Sequence, residues 1–152
     1  MTFSLHPRLL ADCHALGQFA LCTALVMDDA RFPWVILVPQ RPHIREIFEL
    51  REDEQAQVWR ESALLARAMM RACPGDKFNL AALGNVVPQL HIHHIVRRIG
   101  DAAWPAPVWG RGEAVPYEAE ALRGLFERLL GELPGDFRAA AAEIVAARVP
   151  QT

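Results

Sequence analysis

Apolar residues at helical spacing mark several stretches of the chain. The longest, Glu52–Ala72, lacks glycine and proline, begins with acidic residues and places Val58 and Leu65 on one face. This pattern predicts an amphipathic helix that packs on a core. Shorter patterns predict helices over Leu5–Leu16, Tyr117–Gly131 and Asp136–Arg148. Asp136 suits the N-cap of the last helix.

Runs of β-branched and aromatic residues predict strands elsewhere. Phe19–Met27 and Trp34–Val38 are apolar and are joined by a polar turn, so they predict an antiparallel hairpin. Phe78–Leu83 predicts a third strand, and the stretch 85–97 predicts a further one. Helices and strands in this order indicate an α+β fold with a mostly antiparallel sheet.

Three of the six histidines lie within four residues of the stretch 85–97. Side chains alternate between the two faces of a strand. Gln89, His91 and His93 therefore share one face of the predicted strand. The opposite face carries Leu90, Ile92, His94 and Val96. That face suits packing against a core, so the histidine within it is predicted to be structural.

Neighbouring imidazole side chains can take different roles in a group-transfer reaction. A neutral histidine has a ring nitrogen that can attack an electrophile, and a pKa near 6.5 leaves it mostly neutral at neutral pH. One ring can attack while its neighbour donates a hydrogen bond to the charge that develops. The other interpretation is a half-exposed strand with incidental histidines, but their clustering favours a catalytic site.

The composition limits the class of protein. At 152 residues, 52% apolar and 22% charged, the chain is predicted to form one globular domain. Its net charge of -2 argues against nucleic acid as the main partner, because nucleic-acid-binding proteins usually carry a basic stripe. We expect no membrane partner and no signal peptide, because the necessary apolar runs are absent from the sequence. Cys13, Cys22 and Cys73 are widely spaced, which indicates thiols in a reducing, cytoplasmic compartment.

The residues from 89 onward resemble the motif of the histidine triad (HIT) superfamily of nucleotide hydrolases and transferases. That motif is His-φ-His-φ-His-φ-φ, in which φ is apolar. Many members carry an arginine four residues after the third motif position. Setting Arg97 at that place puts the third position at His93. The second position is then His91, and Gln89 replaces the first histidine.

The resemblance covers about residues 20–110 and implies a HIT-like fold. The segment 101–110 resembles a bacterial HIT-like branch that shares the glutamine. HIT-like proteins have a mostly antiparallel five-stranded sheet, with helices packed on one face and the histidine row on the other. We therefore expect a single domain over 1–152, with a core at about 5–110 and a C-terminal helical extension at about 115–150. The resemblance also implies a homodimer.

The resemblance further implies an enzyme that acts at the α-phosphate of a nucleotide conjugate. His91 would attack phosphorus and form a covalent nucleotidyl-histidine that water then cleaves, while a backbone carbonyl holds its other ring N–H. His93 and Gln89 would hydrogen-bond the phosphate and leaving-group oxygens. These steps need no cofactor.

Four other residues are implied to bind the nucleotide. Asp28 and Asp29 lie near the hairpin position where family members bond the ribose hydroxyls, although capping of the turn explains them equally well. Asn85 lies in the loop that borders the phosphates, and its other interpretation is a turn residue. Trp109 lies among prolines and predicts an ordered segment. This segment would dock on its own sheet or, as the family favours, on the partner subunit near the site.

Two alternatives to this enzyme are a metal site and a nucleotide-binding protein. His91 and His93 could ligate zinc or nickel from one strand face, but no nearby Cys, Asp or Glu on that strand supplies a third ligand. No metal site is therefore predicted. Glutamine cannot shuttle a proton, so a nucleotide-binding or sensing protein with little turnover is the alternative to an enzyme.

Overall fold

The structure, a computed structural model, describes residues 2–141, and these form three α-helices, one 3₁₀ turn and six strands. The helices are α1 (Pro7–Asp12), α2 (Glu52–Ala72) and α3 (Ala119–Glu132), and the 3₁₀ turn is Ile47–Glu49. The strands are β1 (Cys13–Gln18), β2 (Cys22–Met27), β3 (Trp34–Pro39), β4 (Lys77–Ala81), β5 (Ile92–Arg97) and β6 (Arg138–Ala139). The predicted α+β class is confirmed. Within this part of the chain, no helix is both long and apolar enough to cross a membrane.

All the strand pairs are antiparallel, and the strands lie in the order β4-β5-β3-β2-β1-β6. The histidine strand β5 is therefore interior, and His93 lies between Ile36 of β3 and Ala81 of β4. The resemblance implied five strands, whereas residues 2–141 form six, because the two-residue β6 adds to the edge of β1.

The helix predicted from Asp136 does not begin there. After a proline-glycine break, Phe137 packs on Phe19 with ring centroids 4.8 Å apart, and the next two residues pair with β1 as β6. Gly17 permits this close approach, because a Cβ at its position would collide with the carbonyl oxygen of Arg138. The rest of that predicted helix lies outside the described residues.

The N-terminal helix is shorter than its apolar pattern predicts. Helix α1 ends at Asp12, and the residues from Cys13 onward form β1, which pairs with β2. Leu16 joins the core beneath the large helices, while Cys13 joins the core on the opposite face of the sheet. The apolar spacing of these residues favours a helix. Pairing with β2 and burial on both faces of the sheet stabilise the strand more.

Helices α2 and α3 pack on one face of the sheet, as predicted. Their apolar residues share a core with Leu90, Ile92 and Val96. The other face, which carries His93, is covered by a second core that the N-terminal segment and the segment 103–109 complete. His91 and His93 are therefore buried beneath the N-terminal segment and the segment 103–109.

A buried carboxylate ties α2 to the sheet. Glu61, which is 1% exposed, accepts hydrogen bonds from the backbone N–H groups of Leu21 at 2.8 Å and Cys22 at 2.9 Å. Gln57 donates to the same carboxylate at 2.8 Å. These bonds hold the start of β2 against the helix and so fix the sheet on which the histidines lie.

Candidate active site

The hydrogen bonding of His91 determines which ring nitrogen carries the proton. His91 lies just before β5, is 7% exposed and places Nδ1 2.7 Å from the carbonyl oxygen of Gln89. A carbonyl only accepts hydrogen bonds, so in the neutral ring Nδ1 carries the proton and Nε2 has the lone pair. The predicted contact between this ring and a backbone carbonyl is confirmed.

In the neighbouring His93, Nδ1 accepts a hydrogen bond instead of donating one. Its ring centroid lies 4.9 Å from that of His91, so both rings lie on one face, as predicted, although the strand begins only at Ile92. The indole Nε1–H of Trp34 donates to His93 Nδ1 at 3.0 Å, so the proton of the neutral ring is on Nε2. Burial, with His91 and His94 as neighbours, lowers the pKa of His93 to about 3. The ring is therefore neutral at pH 7.

Trp109 packs on the histidine row of its own chain. Its ring centroid lies 5.1 Å from that of His93 and 5.8 Å from that of Trp34, and both contacts are edge to face. Ala103 and Val108 of the same segment are buried in the core on this face. Trp109 therefore contacts the sheet of its own chain but is only half-buried there, so docking of the segment on a partner subunit stays a prediction.

A buried ion pair anchors the tryptophan-bearing segment. Arg97, which is 1% exposed, donates to Asp101 at 2.8 and 2.9 Å and to Asn79 Oδ1 at 2.9 Å. Hydrogen bonds from the guanidinium hold the pKa of the Asp101 carboxyl below its usual range. The backbone N–H groups of Ala103 and Trp104 also donate to Asp101. The spacing of four residues between Arg97 and Asp101 is the signal in the sequence that marks this pair.

The side chain of Gln89 binds the N-terminal segment. Its amide oxygen accepts the backbone N–H of His6 at 2.9 Å, and its amide nitrogen donates to the carbonyl of Ser4 at 2.8 Å. The side-chain amide therefore forms one donated and one accepted hydrogen bond with the backbone of residues 4–6, as a neighbouring strand would. This contact joins residues 83 and 85 positions apart, and no local pattern in the sequence marks it.

The two aspartates after β2 hold the loop that precedes α3. Asp28 accepts the backbone N–H of Tyr117 at 2.9 Å and lies 3.1 Å from His14 Nε2. Asp29 accepts two hydrogen bonds from the Arg31 guanidinium, at 2.9 and 2.7 Å. The side chain of Asp29 is 3% exposed, whereas that of Asp28 is 30% exposed. Asp28 also lines an open cavity of about 450 Å³ beside α1.

The structure brings together only part of the predicted set of site residues. His91, His93 and Trp109 form one cluster on the face opposite the large helices. Gln89 joins it only through its backbone carbonyl, because its side chain binds the N-terminal segment. Asn85 lies in an exposed bend of the β4–β5 connection. Among residues 2–141, no group of three or more His, Cys, Asp or Glu side chains could hold a metal ion.

His94 points to the other face of the sheet, as predicted. The residue is fully buried, with Nε2 2.7 Å from Ser62 Oγ of α2 and Nδ1 3.0 Å from the carbonyl oxygen of Ile92. Nδ1 therefore donates to the carbonyl and Nε2 accepts the serine hydroxyl. Burial lowers the pKa of His94 to about 4. Both ring nitrogens are satisfied within the core, as a structural histidine requires.

Replacing His94 with valine should preserve activity and lower stability. The Ser62 hydroxyl would lose its partner inside the core, which costs about 1–3 kcal/mol of unfolding free energy. The double variant His94→Val/Ser62→Ala should recover part of that loss, because no unpaired group remains. Urea unfolding of both single variants and the double variant measures the coupling. A His94→Val protein more stable than its parent would contradict this role.

The same variant should also be less sensitive to acid. His94 titrates near pH 6.5 in the unfolded chain, whereas burial delays its proton uptake in the folded protein to about pH 4. Between these values the unfolded state binds the extra proton, so the unfolding free energy falls as the pH falls, by about 1.4 kcal/mol per pH unit for this group. His93 acts in the same direction. His94→Val should therefore lose less stability than its parent between about pH 6.5 and pH 5.

Known proteins resemble this chain in sequence and in structure. A sequence model of the HIT domain matches residues 8–100. A histidine triad protein from Bradyrhizobium japonicum is 43% identical, with 88% of this chain and 100% of that chain covered and a TM-score of 0.87. One from Marinobacter aquaeolei VT8 is 51% identical, with 88% and 97% covered and a TM-score of 0.85. No curated protein matches the chain significantly.

A third solved structure agrees with these two. The histidine triad protein from Sinorhizobium meliloti 1021 is 45% identical, with 87% of this chain and 98% of that chain covered and a TM-score of 0.85. The HIT-domain match spans more than half of the chain and includes the paired rings of His91 and His93. This chain therefore belongs to the histidine triad family.

Proposed function

We propose that this protein hydrolyses or transfers a nucleotide conjugate at its α-phosphate, through a covalent nucleotidyl-His91 intermediate. The observation that carries the proposal is the pair of hydrogen bonds that give two neighbouring rings complementary tautomers. Nε2 of His91 keeps a lone pair, and Nε2 of His93 carries a proton, with the ring centroids 4.9 Å apart. Membership of a superfamily of nucleotide-binding proteins and hydrolases supports it.

The proposed reaction balances with these side chains and water. The Nε2 lone pair of His91 bonds to phosphorus, and the leaving group departs with the electron pair of its bond and takes a proton from solvent. The carbonyl of Gln89 stabilises the positive ring, while His93 donates its Nε2–H to a phosphate oxygen. Water, or another acceptor in a transfer, then attacks phosphorus and releases its proton to solvent. The electron pair of the N–P bond returns to Nε2.

In this proposal Gln89 contributes as a neutral hydrogen-bond donor. One N–H of its amide binds the carbonyl of Ser4, and the second would donate to a phosphate or leaving-group oxygen. An amide cannot supply a proton. The favoured substrates are therefore those whose leaving group needs no acid from this position.

We assign the ribose to Asp28 rather than Asp29. Asp28 is 30% exposed and borders a cavity, whereas Asp29 is 3% exposed and is paired with Arg31. A carboxylate can accept hydrogen bonds from both ribose hydroxyls. Asn85 would donate to phosphate oxygens from its exposed bend, and Trp109 would border the bound nucleotide where it packs on the histidine row.

A product-release assay separates an enzyme from a binding protein. Adenosine phosphoramidate and dinucleoside polyphosphates are incubated with the protein, and the released nucleotide is followed by chromatography. We expect release well above the rate in buffer alone. Nucleotide binding in calorimetry without any product release would contradict the enzyme. That result would support the second candidate, a nucleotide-sensing protein, which Gln89 at the first motif position favours.

We further propose a homodimer that forms along the outer edge of β4. This strand ends the sheet in the described part of the chain, so its outward backbone groups can pair with another strand. Leu80 and Trp59 are 46% and 47% exposed and border a cavity of about 190 Å³ beside that edge. A second copy would pair the two edges and cover these apolar side chains.

Replacing Leu80 with glutamate tests this interface. We expect a monomer in sedimentation, because the substitution places two like charges within the proposed contact. Val115→Glu introduces the same charge at a residue that is 50% exposed in the loop before α3, and it should leave the dimer intact. A monomeric parent protein, or a Leu80→Glu protein that remains dimeric, would contradict the proposal.

The cysteines support a cytoplasmic location. Among the described residues, Cys13, Cys22 and Cys73 are buried and form no disulfide. Thiols of this kind persist in a reducing compartment. We therefore propose that the protein acts in the cytoplasm, which fractionation of cells that express it would test.

A further inference from the structure

Trp34 lies at the start of β3 with its indole against the second histidine of the site. Its Nε1 is 3.0 Å from His93 Nδ1, and the two ring centroids are 5.6 Å apart. Trp34 and His93 are 6% and 5% exposed, so little water reaches the contact. This is a buried hydrogen bond between two rings of adjacent strands.

The chemistry of the indole dictates the tautomer of its partner. An indole nitrogen only donates, so the bond forms only when His93 Nδ1 is unprotonated. The proton of the neutral ring is then on Nε2, away from Trp34. In the reversed tautomer two N–H groups would meet in a buried place, and both would lose a hydrogen bond.

We propose that Trp34 is a positioning residue that locks His93 in the Nε2–H tautomer and so keeps a hydrogen-bond donor available to the phosphate. The effect of Trp34 on catalysis rests on the proposed function. The tautomer of His93 does not, because it is a property of the unliganded protein. In the reversed tautomer, Nε2 of His93 would present a lone pair to the anionic oxygens and repel them.

Trp109 contacts the same histidine in a different way and supplies a matched control. The edge-to-face contact between its ring and that of His93 spans 5.1 Å between centroids at 80°. Such packing fixes where the ring lies and is not tied to one tautomer. Trp109→Ala should therefore disturb the cover of the site without altering which nitrogen of His93 is protonated.

Nitrogen-15 NMR of the unliganded protein at pH 7 tests the tautomer directly. The His93 signals are assigned by their loss in His93→Gln. In the parent protein we expect an unprotonated, hydrogen-bonded Nδ1 and a protonated Nε2. Trp34→Phe should shift the Nδ1 signal and admit the Nδ1–H tautomer, whereas Trp109→Ala should keep the parent tautomer. A protonated Nδ1 in the parent would overturn the proposal, even if Trp34→Phe fails to fold.

Kinetics test the catalytic consequence. Trp34→Phe should lower kcat about tenfold with little change in KM, because substrate still binds while a transition-state donor is misdirected. Trp34→His can offer an imidazole N–H from the same strand position and should recover part of the loss. An unchanged kcat in a folded Trp34→Phe protein would overturn the proposal. Absence of turnover in the parent would instead overturn the proposed function, and the NMR result would still decide the tautomer.

Discussion

Replacing His91 with alanine is expected to reduce turnover by at least about 10³-fold, because the reaction loses the nitrogen that bonds to phosphorus. The nucleotide should still bind with nearly the parent affinity, since the phosphate contacts from His93 and Gln89 remain in the proposed site. Single-turnover product release measures the first effect, and a calorimetric titration measures the second.

The matched control for that experiment is His94→Val. His94 is a buried histidine three residues further along, but it lies on the opposite face and contacts Ser62 of α2. Its replacement should leave turnover near the parent value. A His91→Ala protein that retains activity, or a His94→Val protein that loses it while folded, would show that the roles are assigned to the wrong face.

Replacing Arg97 with methionine should lower the unfolding free energy by about 3–5 kcal/mol. The carboxylate of Asp101, whose side chain is 10% exposed, would be left charged without its partner, and Asn79 would lose a hydrogen bond. Turnover should fall as well, because the segment that begins at Asp101 carries Trp109 onto the histidine row. Urea unfolding at pH 7 gives the stability change.

The effect of this substitution should depend on pH. Arg97 holds the pKa of the Asp101 carboxyl below its unfolded value of about 3.9, so the ion pair contributes stability above that pH and loses it as the pH falls further. The difference between parent and variant should therefore narrow towards pH 3. Arg98→Met, at the exposed neighbouring residue, should cost less than about 0.5 kcal/mol. Equal losses in both variants would mean that burial of the pair is unimportant.

The features that the sequence predicted well depend on strong local periodicity. Helix α2 was predicted and observed over Glu52–Ala72, because a long amphipathic stretch without glycine or proline has few alternatives. The period of two in a strand placed His91 and His93 on one face and His94 on the other. These features need no knowledge of distant contacts.

The features that the sequence did not predict depend on contacts between distant residues. Pairing with β2 converts the second half of a helical pattern into β1, and pairing with β1 draws residues 138–139 into β6. The hydrogen bond from Trp34 to His93 joins residues 59 positions apart, and an apolar strand pattern does not reveal the role of one indole N–H. The binding of the Gln89 amide to the N-terminal segment is hidden for the same reason.

Trapping of the covalent intermediate would show whether His91 bonds to phosphorus. The protein is mixed with a dinucleoside polyphosphate, quenched in alkali within a single turnover, digested and analysed by mass spectrometry. Because Nδ1 of His91 is bound to the carbonyl of Gln89, we predict a nucleotidyl group on His91, attached at Nε2. The same treatment of His91→Ala should give no adduct. An adduct on any other residue, or rapid turnover that never labels His91, would contradict the account.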